Sequence, residues 1–187
     1  MIAACSSSNN PAVDSGGGSG GNTDGTVTAT GSIGGIDLGG LDNATAAVVQ
    51  AKGTGLDIFL STTGADCAAL TAGDVAGATY FQLFLTTVDG SDDGSAPTGS
   101  GTFNADTSSA GPNYVEADVE QLGSDCSQVT DRSFATGTVT LTALSGGVAT
   151  GSFDLANGSD HSTGTFTTIS CDGIATRDSG SAAPACH

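Results

Sequence analysis

The side chains in this sequence best placed to do chemistry are carboxylates. Glu116, Asp118 and Glu120 alternate along the chain, and in an extended strand that spacing puts three carboxyls on one face, about 6.8 Å apart at each step. Carboxyl groups at such separations serve glycoside hydrolysis or hold a metal. Against this, Val115, Ala117 and Val119 fill the intervening positions and explain the alternation as burial of the opposite face. Tyr114 is the only useful ring beside them, and the chain has no Trp. The acidic row therefore reads as a solvated face. Asp89-Gly90-Ser91-Asp92-Asp93-Gly94 opens like a calcium loop, with Asp89, Ser91 and Asp93 as oxygen ligands before a Gly turn. That pattern needs a bidentate Glu at its twelfth position, where Ser100 stands. Calcium is the one cofactor the sequence offers, against a plain acidic hairpin loop.

Nucleophile chemistry has little support. Gly17-Gly18-Ser19-Gly20-Gly21 matches G-x-S-x-G as text, but no strand-to-helix turn surrounds it. The two histidines are His161 and the terminal His187. His161 stands between Asp160 and Ser162 in a turn, and neighbours along a turn do not make a triad, which needs an orienting group on the far side of the imidazole. Phosphate loops and dinucleotide fingerprints are missing from the sequence. The expectation is a protein without a catalytic constellation.

Composition narrows the classes. Three basic residues stand against 20 acidic ones in 187 residues, a net charge of −17. A field of that sign repels phosphate backbones and excludes nucleic acid as a partner. The sequence has no run of about 20 apolar residues, so a membrane-spanning helix is not expected. Gly (30), with abundant Thr and Ser, argues against an all-helical fold. The acidity itself reads as solvation of a secreted chain.

The five cysteines are Cys5, Cys67, Cys126, Cys171 and Cys186. Ile2-Ala3-Ala4-Cys5 resembles a bacterial lipobox, in which the signal peptide is cut before the Cys and the Cys is acylated. Residues 1–4 are then the remnant of a signal peptide, whose charged start and apolar stretch would lie upstream. From Ser6 to Asp24 the sequence has the composition of a flexible tether, reaching about 25 Å by the square-root rule. Lipidated Cys, tether and domain in that order are similar to a small bacterial lipoprotein. The resemblance implies attachment to a lipid bilayer through Cys5. It also implies the outer membrane or cell surface, because Ser6 rather than Asp follows the Cys. Setting Cys5 aside leaves an even set, which an oxidising compartment pairs into two disulfides. Of three pairings, Cys67–Cys126 with Cys171–Cys186 is favoured here, the second stapling the tail to the last strand. Zinc fails on spacing, since none of these cysteines forms a C-x₂₋₄-C step.

Residues 25–187 form the domain that would be displayed. Their period is two. In Thr138-Val139-Thr140-Leu141-Thr142-Ala143 the threonines face one way and the apolar residues the other. Turns at Ser145-Gly146-Gly147 and Asn157-Gly158-Ser159-Asp160 flank a strand from Val148 to Leu155, and another follows from Ser162 to Cys171, giving a C-terminal antiparallel meander. Upstream strands are expected over Thr26–Ile33, Ala44–Ala51, Leu56–Thr62, Thr79–Val88, Gly101–Ala105 and Tyr114–Leu122, with a helical turn over Asp66–Leu70. Tyr80 to Leu85 is apolar on both faces, as in a strand that is central or covered. Gly101-Thr102-Phe103, Gly151-Ser152-Phe153 and Gly164-Thr165-Phe166 share G-[ST]-F, read as a Gly kink before an inward aromatic. The fold class is all-β, an antiparallel sandwich or closed barrel of about 8–10 short strands. The expected role is a non-enzymatic, membrane-anchored extracytoplasmic domain with a structural or binding function. A small-ligand or carbohydrate-binding barrel is the alternative, and a carboxylate-dependent hydrolase a third.

Overall fold

A computed structural model describes residues 25–49, 55–62, 65–87, 94–105, 112–171 and 185–186. The domain is β-rich. Its strands are β1 (Thr26–Ile33), β2 (Ile36–Asp37), β3 (Leu41–Val49), β4 (Gly55–Thr62), β5 (Gly73–Asp74), β6 (Thr79–Thr87), β7 (Gly101–Asn104), β8 (Asn113–Leu122), β9 (Gln128–Ser133), β10 (Thr136–Ser145), β11 (Val148–Asn157), β12 (Asp160–Thr167), β13 (Ile169–Ser170) and β14 (Ala185–Cys186). One helix, α1 (Cys67–Ala72), precedes β5.

Twelve strands make one curled sheet, a half-barrel, in the order β13-β3-β4-β6-β8-β7-β10-β11-β12-β1-β2, with β9 added to β8. The sheet has two antiparallel halves: β3-β4-β6-β8-β9, and β7-β10-β11-β12-β1-β2. Their joins are short and parallel. β7 meets β8 at one residue pair, Asn104 and Tyr114. β13 meets β3 at two, Ile169 with Thr45 and Ser170 with Ala46. Sandwich and barrel were the two sequence-derived options, and this architecture lies between them. The chain itself makes one corner. Phe134 donates its N–H to Ala117 O on β8, and the next residue, Ala135, donates to Ala156 O on β11. β9 and β10 are thus almost one strand that changes partners at Phe134, a common way to turn a sheet corner.

The expected meander is present as β10-β11-β12. Two-residue hairpin loops close it. At Gly146–Gly147 both residues have positive φ (58° and 80°), the backbone a type I′ turn demands and glycine supplies without strain. The last expected strand is broken at Thr168, whose N–H bonds Ala149 O on β11, so β13 leaves for β3. β9 was not expected, because Gln128-Val129-Thr130-Asp131-Arg132-Ser133 has one apolar residue and no alternation. β3 starts three residues before its expected boundary at Ala44.

The interior is packed by side chains from both halves. Leu56, Ile58, Leu60, Phe81, Leu83, Leu85, Val115 and Val119 come from one, and Phe103, Val139, Leu141, Phe153, Leu155 and Phe166 from the other. Phe81 links them, edge-on to Phe153 with ring centroids 5.2 Å apart and tilted against Phe134 at 5.5 Å. The G-[ST]-F recurrence has a packing explanation at two of its three sites. Phe153 pairs across the strands with Gly164, and Phe166 with Gly151. A Cβ at Gly164 would stand 2.5 Å from the Phe153 ring, and one at Gly151 would stand 2.8 Å from Phe166. Neither glycine has positive φ. They make room for a facing ring and do not kink the strand.

β4 and β6 are buried on both faces over much of their length, as the doubly apolar Tyr80–Leu85 stretch implied. A second small core covers them. Leu70 of α1 packs with Phe59, Tyr80, Ala65, Ala78 and Leu122. Asp66 caps α1 by accepting from the Ala69 N–H at 2.8 Å, and Tyr80 Oη accepts from the Val75 N–H at 2.8 Å. Two disulfides hold this layer, Cys67–Cys171 and Cys126–Cys186, each with its Cα atoms 5.7 Å apart. The expected pairing, Cys67–Cys126 with Cys171–Cys186, is corrected. β13 carries Cys171 to β3, where its N–H bonds Ala46 O. β14 lies parallel to β5 and brings Cys186 to the Cys126 turn. These non-local pairings of two-residue strands decide the cystines. In the chain-entropy picture the gain is larger, about 4.7 kcal/mol for a loop near 100 residues against about 3 for one near 15.

Candidate functional site

The acidic row lies where the alternation placed it. Val115, Ala117 and Val119 are buried, Glu116 is exposed, and Asp118 and Glu120 are half-buried. Across the strands Glu116 faces Phe84, Asp118 faces Gln82 and Ser133, and Glu120 faces Tyr80 and Asp131. The carboxyls are therefore strung out along a strand among rings and an amide. Burial, then the negative charges of Glu116 and Asp118, push the Tyr114 phenol above its usual range. Among the described residues no three His, Cys, Asp or Glu side chains are grouped to hold a metal ion.

One carboxylate on this face escaped the sequence reading. Asp57 is fully buried, and its Oδ2 accepts from Gln82 Nε2 at 2.8 Å. The signal was present, because Asp57 interrupts the run Leu56 to Leu60. An acid inside a strand apolar on both faces requires a partner.

His161 is in β12, and its Nε2 lies 2.8 Å from Asp154 Oδ1 on β11, both side chains more than half exposed. Ser162 points to the opposite side and is buried, its hydroxyl donating to Thr30 O at 2.9 Å. Asp160 is taken by the Gly34 N–H at 2.7 Å. The three neighbours in sequence thus have three separate partners. Cys5, Ser19, His187 and the calcium-type residues Asp89, Ser91 and Asp93 lie outside the described residues. Thr87 and Ser95, on either side of that acidic loop, exchange two backbone hydrogen bonds of 2.8 Å.

A ligand-binding barrel would need an apolar cavity or an exposed ring platform. Phe59, Tyr80 and Phe81 are buried in the two cores, and Phe84 and Tyr114 are half-buried. What the outer surface does carry is a field of hydroxyls. Thr28 of β1 faces Thr165 of β12, which faces Ser152 of β11, then Thr140 of β10, then Thr102 of β7. The neighbouring rows are Thr26–Thr167–Thr150 and Thr30–Thr163–Asp154–Thr138–Asn104. A shallow depression of about 380 Å³ lies on this field, lined by Thr26, Thr28, Thr150, Ser152, Thr165 and Thr167 among others. A β-bulge at Leu141–Ala143 turns Thr142 to its rim. Each threonine run was legible singly, but the rows they form across strands needed the register.

No protein family, curated protein or solved structure matches this chain. Among the described residues no helix is long and apolar enough to cross a membrane.

Proposed function

We propose that this protein is a lipid-anchored extracytoplasmic protein, in which an acylated Cys5 holds the β-domain out from a bacterial outer membrane or cell surface, and that its role is binding or structural. One observation carries the reading: four of the five cysteines are consumed in two disulfides, leaving Cys5 as the odd one. Disulfides of this kind belong to oxidising compartments. A lipobox-like sequence before the odd cysteine supplies its chemical use, and acyl chains at a protein terminus give stable anchoring once two or more are present. A core packed by aliphatic side chains and phenylalanine rings from both halves supports a display role over that of a barrel enclosing a ligand.

The test is metabolic labelling of the full chain with an alkyne palmitate in a bacterial host that exports it, followed by membrane fractionation. Cys5→Ala is expected to abolish both the label and sedimentation with membranes. Unlabelled wild-type protein, or a Cys5→Ala chain that still sediments with membranes, refutes the anchor.

A further inference from the structure

We infer that the hydroxyl field on β1, β12, β11 and β10 is a docking groove for an uncharged polysaccharide chain. The inference deepens the binding half of the function proposed above and names its ligand class. It does not depend on Cys5.

The first support is order. Strand pairing sets neighbouring members of a hydroxyl row about 4.8 Å apart across the sheet, and the pleat sets successive rows about 6.8 Å apart along each strand. Threonine is β-branched and stiff at χ1, so these groups are held in place before any ligand arrives, and little ordering cost remains on binding. The second is availability. In the flanking rows some hydroxyls are engaged with one another, Thr30 with Thr163 at 3.2 Å and Thr150 with Thr167 at 3.5 Å. In the row crossing the depression, Thr28, Thr165 and Ser152 hydrogen-bond no other side chain or backbone group among the described residues with their hydroxyls. Each offers one donor and two acceptor positions, the complement of a sugar hydroxyl.

The third support is charge. The chain carries −17, yet among the described outward residues of these four strands the only ionisable side chains are Asp154 and its partner His161, at one end. A polyanion is repelled by the molecule as a whole, and a cation is drawn to the carboxylates of β8 and β9. A neutral polyhydroxylated chain is the ligand that fits this face. Sheet twist selects its form. Neighbouring strands rotate by about 20°, so a planar lattice such as ice or a crystalline glycan would touch only a patch, while a single chain can follow the saddle. A volume of about 380 Å³ is at the low end for ligand sites, roughly 300–1,000 Å³, and takes a short stretch of that chain. Without a stacking ring, single-site binding is weak, and many copies on one surface would raise it by avidity.

The experiment is amide chemical-shift titration of the isotope-labelled domain with maltohexaose, cellohexaose and dextran, with polygalacturonate as the anionic control. The paired variant Thr28→Val with Thr165→Val keeps shape and strand propensity while removing two hydroxyls. Saturable shifts confined to β1, β10, β11 and β12 for a neutral glycan, weakened about tenfold in the variant by the loss of two net hydrogen bonds, are expected. Silence from all three neutral glycans, shifts on another face, equal response to polygalacturonate, or a variant that binds as well as wild type would each overturn the inference. Because the domain is titrated free of any membrane, those outcomes leave the palmitate result unaffected, and a failed palmitate label leaves these unaffected.

Discussion

The outward positions of β1, β10, β11 and β12 are mostly threonine and serine under open solvent, whereas those of β4, β6 and β8 are aromatic rings, an amide and carboxylates, partly roofed by α1 and two cystines. Both halves present the same kind of aliphatic and phenylalanine surface inward. The difference lies in how each half obtains stability. The hydroxyl half relies on regular pairing, two-residue turns and ring-over-glycine contacts, local within β10–β12 and long-range where β1 joins β12. The roofed half relies on contacts far apart in sequence, and its outer layer is too small to hold without covalent help, as short helices generally are.

The largest test of that contrast removes a cystine. Cys67→Ala with Cys171→Ala should lower stability by about 4–5 kcal/mol in the chain-entropy model, read by denaturant unfolding. Hydrogen exchange should then speed up in β3, β4 and β6 while β10–β12 keep their protection. Uniform loss of protection would break the distinction between the halves. Phe81→Ala attacks the one ring that spans them and is expected to cost about 3–5 kcal/mol with exchange rising on both sides. An effect confined to β6 and its neighbours would mean that the halves are less coupled than the ring contacts imply.

Alkaline pH probes the roofed half more gently. The Tyr114 phenol is held above its ordinary value of 10.0 by burial and by Glu116 and Asp118. Since the folded state binds this proton more tightly than the unfolded chain, its contribution is constant below pH 10, and stability falls as pH rises through the folded value. Ring NMR of Tyr114 should show ionisation above the free value, and Glu116→Gln should bring it down toward that value. An unmoved titration would discount the charge of Glu116 as a cause. The smallest expected change is Thr165→Val, within about 0.5 kcal/mol of wild type, because the Thr165 hydroxyl bonds none of the described residues. A loss of several kcal/mol would show that the hydroxyl field is structural.

The sequence was most readable where one face meets water. Val139 and Leu141 against Thr138, Thr140 and Thr142 gave the meander, and Val115, Ala117 and Val119 gave the orientation of β8. It was least readable where water does not decide the pattern. β9 faces solvent with nearly every residue and so lacks alternation. β13 and β14 have two residues each, too few for any period, yet they fix both cystines. Asp57 is invisible to periodicity because both faces of β4 are covered. Of the candidate chemistry, the acidic row and His161 could be located from sequence. The hydroxyl rows could not, since Thr28, Thr165, Ser152, Thr140 and Thr102 lie on five strands that only register aligns.

The two cystines interlock along the chain: the order is Cys67, Cys126, Cys171, Cys186, with first joined to third and second to fourth. A single proteolytic nick anywhere between Cys67 and Cys186 therefore leaves one covalent molecule, whereas sequential cross-links, Cys67 to Cys126 and Cys171 to Cys186, would let the chain part at any nick between Cys126 and Cys171. A nicked copy would run as intact on a gel without reductant and fall apart with it, so damage to any connecting loop in that span would not by itself shed the strands beyond it.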